Sequence, residues 1–174
     1  PEPLPDFEKM SDEELVEALK SPSHIRTLAA QRVIIRRPAS EKLENDLLMA
    51  TSSFKGDLNS QIAALYALIQ RKPQDSFFVL SALINDPELE KYFLRAARDL
   101  PRETLEKATD FFKTKTASSD PRTQLEAIAT IASQNLIKLA PAIAEHLPSK
   151  DPVIRHTAYR ALAQMSAHEA AFAW

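Results

Sequence analysis

A helix-forming pattern recurs five times along the chain at intervals of 29 to 35 residues. Each copy has a polar reference residue, at position 26, 61, 90, 124 or 155, followed by small and apolar residues at helical spacing. The clearest copy begins at Asp151-Pro152, continues through Arg155 and places Ala158 and Ala161 on one face. Repeats of this length are typical of solenoids, because one helix pair cannot bury its apolar faces without neighbours. We therefore predict an all-α fold, an α-solenoid (α-α superhelix) of about five helix pairs.

The turn-forming residues also favour helices over strands. Gly56 is the single glycine, whereas 12 prolines lie mostly between the apolar runs. Tight β-hairpins depend on glycine or Asn-Gly turns, and prolines between apolar runs start or stop helices.

The predicted domain organisation is a linker followed by the array. Residues 1–10 are expected to be a linker, because three prolines within the first five residues disfavour a helix. Ser11 with Glu14 three residues later predicts a capping box at the start of the first helix. Residues 168–174 are expected to begin a further, truncated helix, so we interpret the chain as a segment of a longer protein. The array is predicted over 11–167, with pairs at about 11–37, 41–72, 74–100, 102–133 and 135–166.

Four helices of the array carry more specific predictions. Residues 74–84 are apolar on several sides, which predicts a helix covered by both neighbours. Residues 102–112 predict one continuous helix. Pro141 lies inside the apolar run 136–147, where a proline predicts a kink or a local break. The last full helix is expected over 152–165.

Composition argues against chemistry within the chain. There is no cysteine, which excludes disulfides, thiolate metal sites, covalent haem attachment and a cysteine nucleophile in these residues. A single glycine excludes the Gly-x-Ser-x-Gly elbow and the Gly-rich phosphate loop. None of the four histidines has a second histidine at the i, i+3 or i+4 spacing of a helical zinc motif. We therefore predict no catalytic residue, metal or cofactor, and no apolar run is long enough to span a membrane.

Two groups of residues are candidates for a partner surface. Arg95 and Arg98 belong to clusters of positive charge on second helices, which would meet an anionic partner if those helices share one face. The alternative is that these cations stabilise helix C-termini or pair with nearby acidic residues. Tyr159, flanked by His156 and Arg160, is the best aromatic candidate, since aromatic residues are enriched at interfaces.

The repeat pattern resembles that of HEAT-repeat proteins. The motif that carries the resemblance is Asp-Pro-x-x-Arg followed by spaced small residues, as at Asp151 to Leu162. The resemblance implies a right-handed superhelical stack, with a ladder of aspartates and arginines between successive second helices. Asp120 and Asp151 match the aspartate and Arg155 the arginine, whereas Gln124 departs from the pattern.

A narrower resemblance covers residues 1–37. The runs 11–15, 19–23 and 30–32 look like the middle part of the large "membrane-bound dehydrogenase" proteins of planctomycetes. Those proteins place a β-propeller before a HEAT array and a c-type haem domain after it. The resemblance implies that any redox chemistry lies outside these residues, and that the protein is extracytoplasmic or periplasmic.

These observations predict a non-catalytic protein-interaction, scaffold or spacer module that positions domains of a larger protein. Its partner would be another protein or flanking domains of the same chain. The alternative is a HEAT-like nucleic-acid-binding module or a DNA glycosylase-like enzyme. A net charge of −2 and a pI of about 6.1 make nucleic acid the weaker prediction, because the chain has no overall basic field.

Overall fold

The computed structural model describes the backbone of residues 4–53, 57–84 and 86–172. It describes the side chains of the same ranges except Ser53 and residues 167–172. The first three residues of the expected linker and the last two residues of the expected truncated helix lie outside this part of the chain. The described residues are helical or loop, with no strand among them, which confirms the all-α prediction. The chain divides into two compact units, Pro1–Leu89 and Glu90–Trp174.

The helices of unit 1 are α1 Asp12–Ala18, α2 His24–Arg36, α3 Glu41–Ser53, α4 Leu58–Arg71 and α5 Ser76–Leu83. They form two layers, in which α1 contacts α3 and α2 contacts α4. Helices that follow each other in sequence also pack together, α1 on α2 and α3 on α4. A short 3₁₀ turn, Phe7–Lys9, packs on α2.

Local sequence signals explain where the unit 1 helices begin. Ser11 and Glu14 form the predicted capping box, with Ser11 N–H donating to the Glu14 carboxylate (2.7 Å) and Glu14 N–H donating to Ser11 Oγ (3.2 Å). Asp57 caps α4 by accepting from the backbone N–H of Ser60 at 3.2 Å. These side-chain acceptors satisfy N–H groups that have no partner in the first helical turn.

Polar side chains also hold the two layers together. The buried hydroxyl of Ser60 donates to the carbonyl of Leu19 at 3.0 Å, which ties α4 to the end of α1. Gln31 on α2 donates through Nε2 to the carbonyl of Ala63 on α4 at 3.1 Å. Ala63 and Ala64 are buried where α2 and α4 meet, since small side chains let two helices approach closely.

A buried guanidinium joins three segments of unit 1. The Arg71 side chain is only 3% exposed and donates to the carbonyls of Ile34 (2.6 Å), Arg37 (2.9 Å) and Pro38 (2.8 Å). Glu44 Oε1 lies 3.6 Å from the same guanidinium. The cation therefore occupies the C-terminus of α2, where it also complements the helix dipole.

Unit 2 repeats the two-layer arrangement. Its helices are α6 Pro87–Ala96, α7 Arg102–Glu106, α8 Thr109–Thr116, α9 Pro121–Ser133, α10 Ala140–Ala144 and α11 Pro152–Phe172, and the boundary with unit 1 lies within α6, after Leu89. Two 3₁₀ turns lie at Ala97–Asp99 and Ile137–Leu139. Helix α8 contacts α10 in one layer, α9 contacts α11 in the other, and α8–α9 and α10–α11 are packed pairs. Thr130 on α9 donates to the carbonyl of Leu94 on α6 at 2.7 Å.

Two expectations about helix boundaries need correction. Residues 102–112 do not form one helix, because Ala108 leaves the helical region (φ −109°, ψ 28°) and α8 begins after it. Phe111 and Phe112 on α8 then pack edge to face, with ring centroids 5.4 Å apart. Pro141 does not kink a continuous helix, but the predicted local break is observed, because the run divides into the 3₁₀ turn Ile137–Leu139 and α10. Pro141 lies in the first turn of α10, where its missing N–H leaves no hydrogen bond unmade.

The second correction concerns the expected truncated helix at 168–174. Helix α11 does not end at Met165 but continues to Phe172, so no second helix begins at His168 in the described backbone. No proline or glycine interrupts this stretch, and the Ser166 hydroxyl donates to the carbonyl of Leu162 at 2.9 Å inside the helix. A serine satisfied in this way does not terminate a helix.

Helix α5 is also less covered than its sequence predicts. Phe77 and Leu80 are fully buried, as expected for a core-facing stripe. Phe78, Val79 and Leu83 remain 44–46% exposed, so the prediction of a helix covered on both sides is wrong for this face. None of the helices in the described part of the chain is long and apolar enough to cross a membrane.

Candidate binding surfaces

The predicted cations Arg95 and Arg98 meet an acidic side chain within unit 2. Both guanidinium groups donate to the carboxylate of Glu126 on α9, one to each oxygen. Arg98 also donates through Nε to Thr130 Oγ1 at 3.3 Å, and Arg95 lies 5.9 Å from the centroid of the Tyr92 ring. Glu126 is 15% exposed and pairs with both guanidinium groups, so this cluster joins α6 and the following 3₁₀ turn to α9 and offsets one of the two positive charges.

The remaining predicted surface residues lie together on α11. His156, Tyr159 and Arg160 are all exposed, and 66% of the Tyr159 surface is accessible. At about 100° per residue they share one arc with Arg155 and Val153, opposite the buried positions of the helix. The structure therefore separates the five candidate residues into two arginines that share Glu126, on α6 and in the following 3₁₀ turn, and an exposed group on α11.

The start of α11 is fixed by its own sequence. Asp151 accepts from the backbone N–H of Val153 (2.8 Å) and Ile154 (3.3 Å), and Arg155 donates to the carbonyl of Ser149 at 2.8 Å. Asp120 caps α9 in the same way through Arg122 N–H (3.3 Å) and Thr123 N–H (3.1 Å). The Asp-Pro motif thus begins both α9 and α11.

The caps also set the protonation of two carboxylates. Burial acts to raise the pKa of Asp120, but hydrogen bonds from the Thr123 hydroxyl and from the N–H groups of Thr123 and Arg122 outweigh it and lower the pKa below 3.8. The Ser60 hydroxyl bond is the largest influence on Asp57 and lowers its pKa below 3.8, aided by the N–H groups of Ser60 and Asn59 and opposed by burial. Both caps are therefore ionised at neutral pH.

A groove of about 500 Å³ lies between α2 and α4 in unit 1, and nothing in the sequence analysis identified it. Its apolar lining includes Leu28, which is 50% exposed, and Ile62. Its polar lining includes the side-chain amides of Gln31, Asn59 and Gln70. Its volume is within the range of sites that hold small ligands or peptide side chains.

The groove has a recognisable origin in the sequence. The residues that line the groove recur at positions 24, 28 and 31 on α2 and at 59, 62, 66 and 70 on α4, and all of them are exposed or half-buried. These positions keep the three-to-four-residue spacing of one helix face. Reading the outward face of the second helices as well as their buried face would have identified this surface.

Most of the described lysine and arginine side chains of unit 1 form ion pairs. Arg36 binds Glu8 at 2.6 Å, Arg37 binds Asp12 at 3.0 Å, and Lys42 pairs with Glu13. The hydrogen bond from Lys42 is the main cause that lowers the pKa of Glu13. The positive charge that the sequence concentrates near α2 is therefore largely compensated by acidic residues of α1 and the preceding 3₁₀ turn.

The described residues include no cluster of three or more side chains suited to hold a metal ion. No protein-family model matches the chain. No curated protein matches it significantly. Both resemblances stated above therefore remain predictions.

Proposed function

We propose that the chain is a non-catalytic protein-interaction module, built as an α-solenoid of HEAT-like helix pairs that binds through the outward faces of its second helices. Within each unit, first helices pack on first helices and second helices on second helices, as a stack of pairs requires. The two-layer packing supports this architecture.

The observation that carries the proposal is the groove between α2 and α4. Its side-chain amides each offer a donor and an acceptor, which match the alternating carbonyl and N–H groups of a polypeptide. Leu28 and Ile62 add an apolar surface between them. A partner chain gains hydrogen bonds and apolar burial in such a groove without any reaction taking place.

The span of the groove sets the length of peptide it fits. Asn59 and Gln70 are eleven residues apart on α4, which is about 16 Å at 1.5 Å per residue. An extended peptide rises about 3.3 Å per residue, so about five residues lie along this wall.

Selection from a displayed library of random peptides tests the proposal. Peptides enriched on the wild-type chain should bind the Leu28→Glu variant at least about tenfold more weakly, because a carboxylate then enters the apolar part of the groove. Met49→Glu is the matched control, since Met49 is exposed on α3 and does not line the groove. Failure to enrich any peptide, or equal binding to both variants, would contradict the groove as the binding site.

A nucleic-acid-binding module would behave differently. Duplex DNA would bind the wild-type chain at low salt, and its affinity would fall steeply as salt rises. The pairing of Arg95 and Arg98 with Glu126 offsets one of the two positive charges that these residues would offer to nucleic acid.

We further propose, from the dehydrogenase resemblance, that the module positions domains of a larger redox protein. Sequencing the reading frame on both sides tests this directly. Propeller-like β repeats before residue 1 and a Cys-x-x-Cys-His after residue 174 would support it. Helix pairs alone on both sides would remove it and leave a general scaffold.

A further inference from the structure

The first turns of α11 carry positive charge that the rest of the described chain does not compensate. Arg160 and the neighbouring Lys150 are exposed and make no ion pair with any described side chain, and His156 is exposed as well. The Arg155 guanidinium donates to the backbone carbonyl of Ser149, a neutral group that does not compensate its charge. This differs from Arg95 and Arg98 in the same unit, whose combined charge is partly offset by Glu126.

Apolar side chains lie among these cations. Val153 is 57% exposed and Tyr159 is 66% exposed. On a helix with 3.6 residues per turn, Tyr159 lies between Arg155 and His156, and Val153 lies beside Arg160. The arc from Val153 to Arg160 is about 10 Å long, which is enough for two turns of a bound helix or three residues of an extended chain.

We propose that this α11 face, formed by Val153, Arg155, His156, Tyr159 and Arg160, binds an acidic segment of a partner protein that also carries apolar side chains. The acidic residues meet Arg155 and Arg160, and the apolar ones cover Val153 and Tyr159. The proposal rests on the proposed function in one respect, which is that the partner is a protein.

The arrangement favours a protein over a nucleic acid. Phosphate backbones are bound by extended basic surfaces, whereas here Arg95 and Arg98 share the carboxylate of Glu126 and the chain has a net charge of −2. Exposed Val153 and Tyr159 add apolar area that a phosphate backbone does not use. Charge complementarity then supplies orientation and association rate, and apolar burial supplies affinity.

Fluorescence anisotropy with defined probes tests the proposal. The main probe is a short labelled peptide that alternates glutamate with leucine. A second peptide has serine in place of each leucine, a third has lysine in place of each glutamate, and a duplex DNA is the fourth probe. The glutamate–leucine peptide should bind, and the other three should bind at least about tenfold more weakly.

Variants then locate the site on α11. Tyr159→Ser should weaken binding of the glutamate–leucine peptide about tenfold, and Arg160→Glu about threefold to tenfold. Arg32→Glu is the matched control, because Arg32 is exposed on α2 in unit 1 and the charge change is identical. The control should leave binding of this peptide unchanged. All three positions are exposed, so circular dichroism should show wild-type helicity.

The possible outcomes separate this proposal from the function on which it rests. Equal binding of the serine peptide, or tighter binding of DNA, overturns the α11 assignment. Equal loss in Arg32→Glu and Arg160→Glu also overturns it, because the attraction would then be a property of the whole chain. If the α11 assignment fails while library peptides still depend on Leu28, the proposed function stands and only this face is wrong.

Discussion

Replacement of the buried Arg71 by methionine should strongly destabilise unit 1. Methionine keeps most of the length of the side chain and removes its charge and its donors. In the folded chain, three donated hydrogen bonds at 2.6 to 2.9 Å are lost from the carbonyls of Ile34, Arg37 and Pro38. Glu44, whose side chain is 8% exposed, keeps Lys72 as its ion-pair partner at 2.6 Å.

The size of the effect follows from these contacts. Hydrogen bonds to a charged group contribute about 1.5–3 kcal/mol each, so three would give about 4.5–9 kcal/mol if all the carbonyls stayed dry. The carbonyl of Pro38 belongs to an exposed residue and is rehydrated, which lowers the sum. Removal of one member of a buried ion pair costs about 3–5 kcal/mol, and we expect Arg71→Met to lie in this range.

Two further variants separate charge from packing. Arg71→Lys keeps a cation but offers a compact ammonium in place of the planar fork, so it should recover only part of the loss. The double variant Arg71→Met, Glu44→Met removes the carboxylate as well. It should be less destabilised than Arg71→Met alone, since no partly buried carboxylate is left with a single partner.

Native-state hydrogen exchange measured by mass spectrometry is the suitable assay, because it reports on unit 1 separately. The free energy of opening for peptides from α2 and α4 should fall by about 3–5 kcal/mol in Arg71→Met. Urea unfolding followed by circular dichroism gives an independent value. A loss below about 1 kcal/mol in both measurements would refute the reasoning and show that the guanidinium bonds are replaced by water at little cost.

Two smaller predictions concern helix ends in unit 2. The folded-state pKa of Asp120 is lowered, so its cap stabilises the fold above the ordinary value of 3.8, and this contribution is lost as pH falls through the lower folded pKa. Asp120→Asn keeps an uncharged acceptor at the cap. The difference in free energy of unfolding between the wild type and this variant, measured in urea, should therefore shrink by about 1 kcal/mol on acidification. A difference that does not depend on pH would contradict this. Asn135 has φ 48° at the end of α9, where Leu136 N–H donates to the carbonyl of Ile131 at 3.0 Å. Asn135→Ala should cost about 1 kcal/mol and Asn135→Gly should be neutral or stabilising by thermal unfolding, whereas equal effects would exclude left-handed strain as the cause.

Helix type and most helix ends were predictable because their causes are local. The capping box at Ser11 was visible as a four-residue pattern, and Asp120-Pro121 marked the start of α9 in the same way. The ends of α2 and α4 matched the predictions to within two residues. The break at Ala108 had no such marker, since neither glycine nor proline lies there.

The candidate surfaces were only partly predictable. Tyr159 lies opposite Ala158 and Ala161 on a helix whose buried stripe is evident from spacing, and it is exposed in the structure. Its role in binding a partner stays a prediction. The compensation of Arg95 and Arg98 was left open, because the carboxylate that pairs with them is 28 and 31 residues away in the sequence.

The amino-acid sequence by itself determined that this chain is helical, where most helices begin, and which stripe is buried on a helix such as α11, because those properties depend on residues within a few turns. Only the tertiary structure decided which charges remain available and where a groove opens. Charge compensation at Glu126 and Glu44, and the groove between α2 and α4, depend on side chains brought together from separate helices. The register and the distance between packed helices determine which of these side chains come into contact, and neither is encoded in a local sequence pattern.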